Sequence, residues 1–152
     1  MIKRSKHCLF RDGYTLLELV LVVAILGLLM SIAFPNLAAI HQQTQLKTTA
    51  AELESALQLA RQLSADESRE YVVELTNEQF HVRENRLGSP LIFKQMLPRG
   101  IERSPGSIQR VTYNRHGLTG YGLFVMNNRR GQCIDIEVHI GTGRVTVSDL
   151  YD

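Results

Sequence analysis

Four residues whose side chains bind metals alternate along one short stretch: Cys133, Asp135, Glu137 and His139, within "CIDIEVHI". In a strand, alternation puts all four on one face and Ile134, Ile136, Val138 and Ile140 on the other. Cys133 and His139 then stand roughly 20 Å apart at the rise of an extended chain, so no single metal takes both from this strand. The stretch reads instead as a polar face over an apolar one, with no metal and no cofactor expected. Cys133 has only Cys8 as a companion, far away and without a metal-type spacing. No nucleophile with a neighbouring base and orienting group is visible, and a signal-anchored extracytoplasmic enzyme is the weakest of the readings considered.

A different residue carries more chemistry. In the nineteen residues from Leu16 to Phe34 the one charge is Glu18. At helical rise that run is roughly 28 Å long, about one bilayer core, so it is expected to span a membrane and contact lipid. A carboxylate at mid-span costs up to ~3 kcal/mol, less near the end, so it needs a purpose. The preceding thirteen residues hold Lys3, Arg4, Lys6 and Arg11 against Asp12. Such a basic leader stays in the cytoplasm and places the rest of the chain outside. The chain after the run continues in helical pattern with no small-x-small cleavage site, which argues against a secretory signal peptide.

The string Gly13-Tyr14-Thr15-Leu16-Leu17-Glu18, after a basic leader and at the start of an apolar run, resembles the class III signal of type IV pilins and pseudopilins. The family usually has Phe where this chain has Tyr14. Pro35, the twenty-second residue from Tyr14, matches the helix-kinking proline common in the family. The resemblance implies cleavage between Gly13 and Tyr14 by a prepilin peptidase, then N-methylation of Tyr14. Glu18 would pair with the new cationic amine of a neighbouring subunit during filament assembly. The implied partners are other pilins, an assembly platform protein and its ATPase. The implied location is the cytoplasmic membrane, then a pilus or pseudopilus at the cell surface or in the periplasm.

The elements that would hold these residues follow from periodicity. Pro35 cannot donate a backbone hydrogen bond and is expected to bend a long helix. Beyond it Leu46, Ala50, Leu53, Leu57, Ala60 and Leu63 recur at three- and four-residue steps, one apolar stripe for packing on a sheet. The helix is predicted from about Tyr14 to Ser64. After it the period becomes two, with "EYVVEL" and "QFHVRE" as a hairpin and further strands in "PLIFKQM", "IQRVTYN", "YGLFVM", "CIDIEVHI" and "RVTVSD". The expected fold class is α+β, a long N-terminal helix, its first half in the membrane, packed on a mostly antiparallel sheet of roughly six to eight strands. The expected segments are a leader at 1–13, a transmembrane helix at 14–35 and a soluble head at 36–152. The head divides into an amphipathic helix, 36–64, and a β-domain, 69–148.

The order "FVMNNRRG…IDIEVHIGTGRVTV" resembles the C-terminal hairpin of the H-type minor pseudopilins. Charge is unevenly spread. Residues 36–85 hold four bases and eight acids, and residues 86–144 hold nine bases and three acids. Arg129, Arg130 and Arg144 fall in predicted turns and could meet phosphates. A minor pilin or pseudopilin is therefore the leading reading, with a DNA-binding pilin of a competence (DNA-uptake) pilus as its alternative.

Overall fold

The computed structural model describes residues 14–152, without the side chains of residues 32–38. One helix and eight strands follow in order: α1 (Leu16–Glu67), β1 (Tyr71–Leu75), β2 (Gln79–Glu84), β3 (Leu91–Met96), β4 (Ile101–Arg103), β5 (Arg110–Tyr113), β6 (Gly122–Asn128), β7 (Cys133–Val138) and β8 (Val145–Val147). The fold class is α+β, as expected. The chain forms two compact units that divide at residues 38 and 39. The leader, with Gly13, lies outside the described residues. The helix assignment continues through Pro35, but that residue's side chain is outside the described set, so its kink stays an expectation.

In the second unit, the predicted stripe is the helix's contribution to the core. Leu46, Ala50, Leu53, Leu57 and Ala60 are fully buried, and Leu63 packs half-buried at the margin. The helix outruns the predicted end at Ser64 by one turn. Serine there competes for backbone partners, but its Oγ donates to the Arg61 carbonyl at 2.7 Å inside the helix, so the turn is not broken. Termination comes at Ser68, whose φ of 52° is the left-handed conformation that closes helices. Tyr71 then ties strand to helix, its hydroxyl donating to Glu67 Oε2 at 2.6 Å. Burial, then that carboxylate, pushes the phenol up to about 12.

The strands make two four-stranded sheets rather than one: β3-β2-β1-β5 and β4-β6-β7-β8. Each named pairing is antiparallel. The chain changes sheet three times, first at Leu97–Gly100, where it leaves β3 and enters β4 beside β6, then on the way into β5 and again into β6. Gly100 has a φ of 92°, and the Arg129 side chain lies across it, its Nε 2.8 Å from where a Cβ would sit. Only glycine fits that crossing. Both sheets feed the same core: Val73, Leu75, Phe80 and Val82 from the first, Phe124, Met126, Ile134, Ile136 and Val138 from the second. Ile140 is not with them. β7 ends at Val138, the chain turns back through a bond from Gly143 N–H to the His139 carbonyl, and Ile140 is 71% exposed in that turn.

Candidate functional site

The start of α1 is built by the motif itself. Thr15 is the capping residue. Its Oγ1 accepts the Glu18 N–H at 3.2 Å, and its carbonyl accepts the Leu19 N–H at 3.1 Å. Thr15 and Glu18 thus stand at the first and last positions of a capping box, the threonine satisfying a free amide of the first turn. Glu18 is the acid of that turn, where the helix dipole favours negative charge. Tyr14 precedes the cap outside the helix and is 81% exposed. Tyr14 and Glu18 are therefore separated by a single helical cap, which fixes where the carboxylate leaves the helix relative to the chain's position 14.

From Leu16 to Met30 every large apolar residue is exposed, on all sides of the helix, by 45% or more. A helix that is apolar all round needs lipid or other helices about it. Among the described residues, no helix is long and apolar enough to cross a membrane.

The three arginines do not converge. Arg129 and Arg130 occupy the β6–β7 turn, which Asn128 organises by accepting the N–H groups of Arg130 at 2.9 Å and Gln132 at 3.1 Å. Arg144 closes the β7–β8 turn at the other end of β7, six residues of strand or roughly 20 Å away. It faces a groove of about 600 Å³ with Arg61 and Gln62 of the helix. The polar face of β7 is half-buried and locally committed. Asp135 accepts the Tyr151 hydroxyl at 2.6 Å, which pushes that phenol up to about 12, and His139 meets Thr146 Oγ1 at 2.9 Å. Among the described residues, no three His, Cys, Asp or Glu side chains gather as a metal site.

One charged cluster escaped the sequence. On the first sheet's face away from the helix, Glu74 accepts Arg83 at 3.1 Å and Arg110 through both Nε and a terminal nitrogen, and His81 Nε2 lies 3.0 Å from its other oxygen. Burial opposes its charge, but the hydrogen bonds from Arg110 and Arg83 prevail and hold the carboxyl below its ordinary range. The pairs join adjacent strands, Glu74 standing opposite His81 on one side and Arg110 on the other. Only the strand register could have revealed them.

Residues 11–34 match the family model described as the prokaryotic N-terminal methylation motif. No curated protein matches the chain by sequence. Solved structures of two proteins share its fold. The type IV minor pilin FimU of Pseudomonas aeruginosa superposes with a TM-score of 0.59 at 15% identity, covering 72% of this chain and 92% of its own. The minor pseudopilin EpsH of the Vibrio cholerae type 2 secretion system superposes with a TM-score of 0.57 at 8% identity, covering 68% and 96%. The chain thus joins a prokaryotic N-terminal methylation motif at the start of a long helix to a head that shares its fold with a type IV minor pilin and a minor pseudopilin. Such a signal implies peptidase processing, membrane anchoring and assembly with other pilins. The similar heads belong to a minor pilin and a minor pseudopilin.

Proposed function

We propose that the chain is a minor pilin or pseudopilin, a structural subunit and not an enzyme. The observation that carries this is the methylation motif at the start of a helix that is apolar all round and holds one acid in its first turn. The precursor anchors by residues 14–35 with its leader inside and its head, residues 36–152, outside. Prepilin peptidase cuts between Gly13 and Tyr14, and Tyr14 is N-methylated. A platform protein and its ATPase then move the subunit from the membrane into a filament, with Pro35 bending the helix.

Glu18 acts as the registry group. Its cost in lipid is relieved where it meets the cationic amine of a neighbouring subunit, so the correct axial register is favoured over others. The distance of Arg144 from Arg129 and Arg130 counts against a continuous phosphate track, so the DNA-uptake reading is the lesser one.

Intact mass of the membrane-extracted chain tests the proposal. The expected mature chain starts at Tyr14 and carries one methyl group. A retained leader, or a cut after Phe34, overturns it. Gly13→Arg should abolish trimming because a bulky charge must enter the protease site, whereas Gly13→Ala should slow it modestly.

A further inference from the structure

We propose that β3 is a docking edge for an extended, acid-flanked segment of another protein chain, which adds to the first sheet as a fifth strand. β3 lies at the end of that sheet, bonded to β2 alone. The Leu97 N–H donates to the Glu78 carbonyl at 2.8 Å, continuing the register that sets Met96 opposite Gln79. Hydrogen-bonded pairs alternate along an antiparallel ladder, so Gln95 and Phe93 also bond to β2. Lys94 and Met96 therefore turn their N–H and C=O groups away from the sheet, up to the bulge that shifts the register between Val82 and Arg83 and leaves Ile92 without an opposite residue. The other sheet ends offer less. β4 and β8 have three residues each, and the far side of β5 is bridged from Tyr113 to Thr119.

The flanking side chains suit an extended guest. Leu91, Ile92 and Met96 are each about half exposed, and Leu87 in the preceding turn is fully so. Main-chain bonds with apolar side chains on either face are the chemistry of strand addition. Charge selects the guest. Residues 85–101 carry Arg86, Lys94 and Arg99 and no acid. Glu78, beside the Leu97 end, is the acid at the rim, while Glu84 lies 3.7 Å from Arg69. Two copies meeting edge to edge would oppose these cations, and a central lysine is a known guard against self-pairing. An apolar strand with acids at its ends meets no such repulsion. The proposal stands apart from the filament reading, since it concerns the head and a guest strand only.

The test uses the full chain in neutral detergent and two labelled peptides, Asp-Val-Thr-Val-Thr-Val-Asp and its Lys-flanked twin. The acidic peptide should bind saturably and the basic twin about tenfold more weakly. Amide exchange should slow at Lys94 and Met96. Lys94→Pro removes an N–H that β2 does not use, so the sheet should survive while binding falls about fivefold or more. If that variant fails to fold, Lys94→Glu decides, because it should narrow or reverse the preference between the peptides. No binding, equal binding of both peptides, slowed exchange elsewhere only, or an unchanged preference in Lys94→Glu would overturn the proposal.

Discussion

One helix serves two regions that use apolar residues in opposite ways. Between Leu16 and Met30 the large apolar side chains surround the helix and stay exposed in the isolated chain. Between Leu46 and Ala60 they form one stripe, closed over by two sheets to full burial. The difference lies in the spacing of polar residues. Lys47, Glu52 and Glu54 interrupt the second stretch off the stripe. Only Glu18 interrupts the first, in its opening turn. The head helix has its solvent-excluded partner within its own chain; the first stretch must find one in lipid or in other subunits.

The largest effect should separate the two stretches directly. Leu57→Ala, at a fully buried site, should destabilise the head by about 2–5 kcal/mol. Leu21→Ala, in the exposed stretch, should leave head unfolding unchanged. Thermal melts of the full chain in detergent check both, and equal losses would break the comparison.

Glu18→Gln probes the same contrast through assembly. On the proposed route trimming would precede formation of the Tyr14 amine, so processing and membrane level should stay normal. What would go is the proposed attraction to that amine, strong where the dielectric is low. Apolar packing alone is weakly selective for register, lipid being as apolar as a neighbouring helix. Protein in sheared filaments should fall several-fold with head stability unchanged, measured by quantitative immunoblot of the sheared fraction. Full incorporation would show that Glu18 does not set register.

A smaller effect belongs to the head's charged cluster. Glu74→Gln leaves Arg83 and Arg110 without their shared carboxylate and should cost about 1–3 kcal/mol. The folded-state pKa of Glu74 lies below its ordinary 4.5. Its contribution is therefore complete above that value and disappears as pH falls through the lower folded value. The wild-type head should lose stability over that acid window, and Glu74→Gln should flatten the loss in chemical denaturation series run across it.

The smallest effect is expected at the β6–β7 turn. Arg129→Ala and Arg130→Ala should each change stability by no more than ~0.5 kcal/mol. If the head does bind DNA, the pair should weaken it alike for every sequence, whereas Arg144→Ala should act independently from the far end of β7. Retardation assays across a salt series check this, and strong coupling between the two ends would place them in one site after all.

Much of this protein is written locally. The methylation signal, the apolar run, the stripe from Leu46 to Ala60 and the β1–β2 hairpin each depend on residues a few positions apart, and periodicity reports them because helix and strand repeat at fixed steps. Thr15 and Glu18 belong to the same class, since a helix cap spans three residues. The helix runs a turn past the end of its apolar stripe near Ser64, because periodicity marks the buried face and not the point where the backbone leaves the helix. Ile140 was misjudged because alternation does not say where a strand stops.

Tertiary structure decided the rest. Two sheets in place of one, the open edge at β3, the gathering of Glu74, His81, Arg83 and Arg110, and the separation of Arg144 from Arg129 all depend on which strand lies beside which. Strand pairing joins residues far apart in the chain, and the free energy that selects one pairing is spread over the whole buried core. A linear pattern records that a face is apolar; it does not record what comes to cover it.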